Sequence, residues 1–97
     1  AEAHDGLGKS LHALGDTIRA IPEFKRAIEL NGELLSPVYN LGMAFADLDQ
    51  REAARRWLER FVQAGEGRVD PSWVRAAQDK LSDMANDELE AQAPKKP

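Results

Sequence analysis

Two histidines, a pair of closely spaced aspartates, a run of arginines and two tryptophans are the side chains here with the means to do chemistry. His4 and His12 stand eight residues apart with no cysteine in the chain and no histidine at i+3 or i+4. They therefore lack the spacing by which one helix presents two metal ligands, and are expected as surface or packing residues. The segment DLDQRE, residues 47–52, opens like a calcium loop with Asp47 and Asp49. It has neither the glycine such loops need at the sixth position nor the glutamate at the twelfth, so a polar turn is expected. Arg51, Arg55, Arg56 and Arg60 form a basic cluster of the kind that attracts phosphate backbones. Glu52 and Glu59 are interleaved with them and the chain carries a net charge of −4. A salt-bridged outer helix face is expected, and no nucleic-acid partner. Trp57 and Trp73 have faces on which a ligand could stack, but each lies on an apolar stripe and is expected in the core. No nucleophile stands beside a base and no glycine loop is shaped to cradle phosphate, so no enzyme activity, metal or cofactor is expected.

Composition narrows the remaining classes. A chain of 97 residues, 42% hydrophobic and 31% charged, is one small folded domain with a thin core. Without cysteine no disulfide framework is possible, and no apolar run approaches the roughly 18 residues of a membrane span. A soluble, cytoplasmic protein is expected. The first residue is Ala1 and not methionine, which suggests a processed chain or a piece of a longer one.

The elements that position these side chains follow from an internal repeat. Sliding the sequence by 34 residues pairs Leu7 with Leu41, Gly8 with Gly42, Leu14 with Leu48, Ala20 with Ala54 and Arg26 with Arg60. The same shift pairs Leu11 with Phe45, Phe24 with Leu58 and Ile28 with Val62, preserving size class where identity is lost. A glycine inside a helix costs about 1 kcal/mol relative to alanine. Its recurrence at Gly8 and Gly42 therefore predicts a close helix-to-helix approach at the same place in each unit, with the alanines at 20 and 54 on the facing helix.

Leu7, Leu11 and Leu14, and again Leu41, Phe45 and Leu48, follow i, i+4, i+7 and predict one apolar helical stripe each. Gly15 is placed to end the first helix in the left-handed conformation, and Asp16 to cap the second. The second helix is expected to bury Ile18, Ile21, Phe24 and Ile28, with Pro22 in its early turns facing outward. The fourth carries Ala53, Ala54, Trp57, Leu58, Phe61 and Val62, a broad stripe that predicts burial against two neighbours. AGEGR, residues 64–68, ends it. In DPSW, Asp70 is the expected cap of a fifth helix with Pro71 at its first position, followed by Trp73, Val74, Ala77, Leu81 and Met84 on one side. Lys80, Asp83, Asp87 and Glu88 are expected on its outer side, and a frayed tail from residue 91.

These residues resemble tandem tetratricopeptide repeats, whose 34-residue unit is a pair of antiparallel helices. Residues 1–34 match in register through Leu7, Gly8, Leu11, Gly15, Asp16, Ala20, Ile21, Phe24, Ala27 and Leu30. Departures are His4 for a large residue, Leu11 for a tyrosine and Gly32 for a proline. Residues 35–68 are a weaker copy, with Asp49 at the usual glycine and Phe61 at a usual small residue. Phe61 adds volume where the next helix packs, which suits a terminal unit closed by a capping helix over residues 69–90, followed by a tail over 91–97. The resemblance implies an all-α fold: antiparallel helix pairs stacked as a short right-handed α-solenoid of about five helices.

It also implies a protein–protein interaction module that holds a peptide or partner domain on its concave face. Carried over residue by residue, that face comprises Asp5, Lys9 and His12 in the first unit and Tyr39, Asn40, Met43 and Asp47 in the second. The family version that grips the C-terminal carboxylate of heat-shock chaperones requires several lysines, asparagines and an arginine over three units, and only Asn40 fits. Two alternatives remain: an accessory domain of a larger protein whose activity lies upstream, and a homo-oligomer formed through the first helix, which has no cap before it.

Overall fold

The protein, described from a computed structural model, is a chain of five helices: α1 (Glu2–Ala13), α2 (Thr17–Leu30), α3 (Ser36–Asp47), α4 (Arg51–Gly65) and α5 (Pro71–Gln92). The structure describes the backbone of residues 2–92 and the side chains of residue 4 and residues 6–89. Successive helices pack on one another, α1 on α2, α2 on α3, α3 on α4 and α4 on α5, so the fold is an all-α stack of helix pairs. Helix α5 includes residues 91 and 92, two residues beyond the expected start of the tail; residues 93–97 lie outside the described residues.

The turns within the two pairs are built alike because the chain reverses in the same way. Gly15 has φ 84°, its N–H bonds the His12 carbonyl, and the Asp16 N–H bonds the Leu11 carbonyl. Thirty-four residues later Asp49 has φ 59°, its N–H bonds the Ala46 carbonyl, and the Gln50 N–H bonds the Phe45 carbonyl. This six-to-one closure needs a left-handed residue at its centre, which Gly15 adopts freely and Asp49 tolerates as an aspartate. Asp16 then caps α2 by accepting the Arg19 N–H at 3.4 Å. Pro22 lies in the interior of α2 and is exposed. Its missing N–H leaves the Ile18 carbonyl on the solvent side, where water can satisfy it.

Both glycines expected at close approaches are there. A Cβ on Gly8 would lie 2.6 Å from the Phe24 ring, and one on Gly42 would lie 2.7 Å from the Leu58 side chain and 3.2 Å from its backbone nitrogen. Each approach seeds an apolar layer. Ala20, Phe24, Leu41 and Ala44 form the first, and Val38, Ala54, Leu58, Phe61, Val74, Ala77 and Met84 form the second. Ile28, Phe45 and Trp57 pack against both layers and join them. Phe61 is buried with Val74 and Ala77 of α5, where a smaller residue would leave a gap beneath the last helix.

Several expected burials fail, for geometric reasons. Ile18 is 71% exposed, because it lies two residues before Ala20 and points to the opposite side of α2. Leu7 and Leu14 are 49% and 83% exposed, since no described element covers that side of α1. Trp73, expected in the core, is 45% exposed. Glu88 does not face outward: it accepts from Arg55 at 2.6 Å, and Lys80, also expected on the outer side, is half-buried. The arginine cluster is thus paired across helices and around a turn, Arg55 with Glu88 and Arg51 with Asp49, while Arg60 lies 5.2 Å from the Trp57 ring centre.

The glycine geometry predicts opposite signs for one substitution at three sites. Gly6→Ala, with nothing within 4 Å of the added carbon, raises stability by up to about 1 kcal/mol through helix propensity. Gly8→Ala and Gly42→Ala lower it by about 1–3 kcal/mol, with Gly42 the worse because backbone as well as side chain must move. Urea unfolding of the three variants measures this. At α5 the Asp70 carboxylate accepts the Ser72 N–H at 2.9 Å. That bond, helped by the Ser72 hydroxyl, holds the carboxyl below its ordinary pKa. A lowered folded-state value means that the stabilisation is present above the ordinary carboxylate range, about 4, and is lost as pH falls through the folded value. An acid titration of α5 amide exchange should show loosening there in the parent, and a flatter profile in Asp70→Asn, which caps without titrating.

Candidate functional site

The N-terminal halves of α3 and α5 bring together the most exposed aromatic surface shared between helix pairs. Tyr39 on α3 sits with its ring 5.1 Å from Phe61 and 5.0 Å from Trp73, meeting the latter edge-on at 82°. Phe61 is fixed in the core, so it holds Tyr39, and Tyr39 in turn holds the indole. Trp73 lies half in solvent with a hollow on either side. One, about 180 Å³, is lined by Lys9, Ser36, Phe61, Val69, Asp70 and Trp73. The other, about 270 Å³, is lined by Tyr39, Ser72, Trp73 and Ala76. Lys9 belongs to α1, so the first hollow draws on α1, α3, α4 and α5 together with the turn before α5.

Of the seven residues expected at the site, the structure brings Lys9, Tyr39 and Asn40 to the surroundings of the hollows and pairs His12 with Asp47. Lys9 and Tyr39 border the hollows beside Trp73. Asn40 is half-buried one residue on, donating to the Ser36 hydroxyl at 3.4 Å. Met43 is half-buried and packs against the second apolar layer, so part of its surface serves the core. His12 and Asp47 meet each other, Nε2 to Oδ2 at 2.5 Å, and link α1 to α3. The Asp5 side chain lies outside the described residues. His4 is bound to Glu23 on α2 at 2.7 Å, away from this face. Among the described residues no group of three or more His, Asp or Glu side chains could hold a metal ion, and no helix is long and apolar enough to cross a membrane.

Sequence reasoning missed Trp73, Ser72, Ala76, Ser36 and Asp70. A signal for the first was present: adding 34 to Tyr39 gives Trp73. Treating α5 only as a cap concealed that its first turns continue the face presented by α3. A larger hollow of about 550 Å³ lies by the α4–α5 turn, lined by Glu66, Gly67, Val69, Pro71, Val74, Arg75 and Gln78. It is formed by that turn and α5 alone, and none of the expected residues borders it among those described.

Comparison with known proteins agrees with the helix-pair geometry. Residues 1–33 match the tetratricopeptide repeat family. No curated protein and no solved structure matches the chain. Tetratricopeptide repeats are generally protein–protein interaction modules, and typically scaffolds without catalysis of their own. The matched residues span the pair α1–α2, so it is this helix pair that is similar to a tetratricopeptide repeat.

Proposed function

We propose that this chain binds an extended segment of a partner protein across the face formed by α1, α3 and α5, with Trp73 and Tyr39 as its anchor. In this reading the face runs over a first unit (1–34), a second (35–68) and the closing helix (69–90). The observation that carries it is the indole of Trp73, 45% exposed yet held edge-on by a tyrosine that is itself held by a buried phenylalanine. An aromatic side chain already fixed in place gives up little conformational entropy on binding, the condition under which aromatic residues dominate interfaces. The two flanking hollows are of the volume of single side chains, which suits two apolar side chains of an extended segment straddling the indole. Ser72 borders one of the hollows with a hydroxyl suited to a peptide backbone, and Ser36 and Lys9 add polar character to the border of the other.

Peptides selected from a random library against the parent chain provide the test. Trp73→Ala should weaken the selected peptides at least tenfold, as hot-spot truncation does, while circular dichroism stays that of the parent. Trp57→Phe, on the other side of the stack, should leave affinity unchanged and let the fluorescence of Trp73 report binding directly. Equal affinity for parent and Trp73→Ala would remove this face as the binding surface.

A further inference from the structure

The arginine cluster of α4 divides in two. Arg51 and Arg55 are paired with Asp49 and Glu88. Arg56 and Arg60 are exposed, and neither has an acidic partner among the described residues. Instead the Arg60 guanidinium lies 5.2 Å from the centre of the Trp57 ring, and Arg56, Trp57 and Arg60 line a hollow of about 230 Å³. This hollow shares no residue with those beside Trp73. The carboxylates nearest in the chain fall to its far side. On a helix that advances about 100° per residue, Trp57 and Arg60 stand to one side of Arg56, and Glu52 and Glu59 to the other. Glu52 precedes Arg56 in the favourable i, i+4 order, yet the two make no ion pair.

We propose that Arg56 and Arg60 bind a phosphorylated side chain of a partner protein, with Trp57 holding Arg60 in place. The indole is itself anchored: it is half-buried and packs against both apolar layers. A guanidinium held over a ring by its charge keeps its N–H groups for a ligand, and less of its freedom is lost when one binds. Residues four apart on a helix have their Cβ atoms about 6 Å apart, so both guanidiniums can converge on one group. A carboxylate, with two oxygens, is satisfied by a single bidentate arginine. A phosphoryl group brings three acceptor oxygens and nearly two negative charges, and engages both arginines. The hollow, at about 230 Å³ and walled in part by the indole, has room for the carbon atoms that carry the phosphoryl group. Glu52, Glu59 and the net charge of −4 oppose a long polyanion such as a nucleic-acid strand, whose phosphates would meet the glutamates as well as the arginines. A single compact anion at the hollow avoids them.

Titration of the full chain carrying Trp73→Phe reads this site directly, because Trp57 is then the sole tryptophan and its fluorescence reports on Arg60. The probes come from an array of random peptides, each with one central phosphoserine or phosphotyrosine, and from the same array without the phosphoryl group. The tightest phosphorylated peptides should change the Trp57 emission and bind at least tenfold more tightly than their unphosphorylated counterparts. Arg56→Gln and Arg60→Gln should each weaken them by about tenfold, the usual loss for a charge-assisted contact. Arg60→Lys should weaken them too, since an ammonium lacks the planar fork, while Glu59→Gln should leave binding equal or tighter. All of these positions are exposed, so circular dichroism and the unfolding midpoint should remain those of the parent. Binding that ignores the phosphoryl group, or that survives Arg56→Gln, would overturn the proposal. Inorganic phosphate binding as tightly as the best peptide would do so as well, as would a short single-stranded DNA that binds more tightly and is lost in the same variants.

Discussion

Every packing relation in this molecule depends on how closely the two helices of a pair can approach. At Gly8 and Gly42 the missing side chain lets Phe24 and Leu58 sit against the facing backbone at distances that any Cβ would forbid. The gain is indirect. Once Phe24 is seated over Gly8 it is wholly buried, and it then forms part of the floor on which Leu41 and Ala44 pack. The same sequence of events follows from Gly42 and Leu58 into the layer beneath α5. A small core of alanines and a few large side chains suffices because the helices are close, and the alanines at 20 and 54 are fully buried for the same reason.

Phe61 carries this constraint from the core to the surface. It fills the space under α5, orders Tyr39, and through Tyr39 orders Trp73. The exposed aromatic face is therefore continuous with the interior, and its geometry is fixed by core packing. Ion pairs act differently. His4 with Glu23, His12 with Asp47 and Arg55 with Glu88 each tie two helices together at the rim. Exposed or half-exposed as they are, such pairs contribute little stability and chiefly favour one relative orientation of the helices they join.

Much of the fold was legible because the chain states it twice. The 34-residue shift placed both glycines, both alanines and the paired turns, and Asp49 took the backbone conformation of the glycine it replaces. The candidate site was legible only in part. Periodicity identifies which residues share a stripe, and it grouped Trp73 with Val74, Ala77 and Leu81 on α5, where Val74 and Ala77 are buried but Trp73 is 45% exposed. A stripe at the edge of a stack, however, is covered over only part of its width, and Trp73 falls where Tyr39 ends. Ile18 and Leu14 show the same limit: both are apolar, both lie near stripes, and both face water.

The sequence by itself determined the helices, their caps and the close contacts within each pair, because these depend on residues near in the chain and on a local rule repeated at fixed spacing. Tertiary structure alone decided which side of each helix is covered, that Arg55 reaches Glu88 rather than its helical neighbours, and that Lys9 of α1, Ser36 of α3 and Trp73 of α5 border one hollow beside the Tyr39–Trp73 pair. Those outcomes depend on which helices exist to lie alongside. A pattern within one helix records that it has an apolar side, and only the neighbours determine how much of that side remains open.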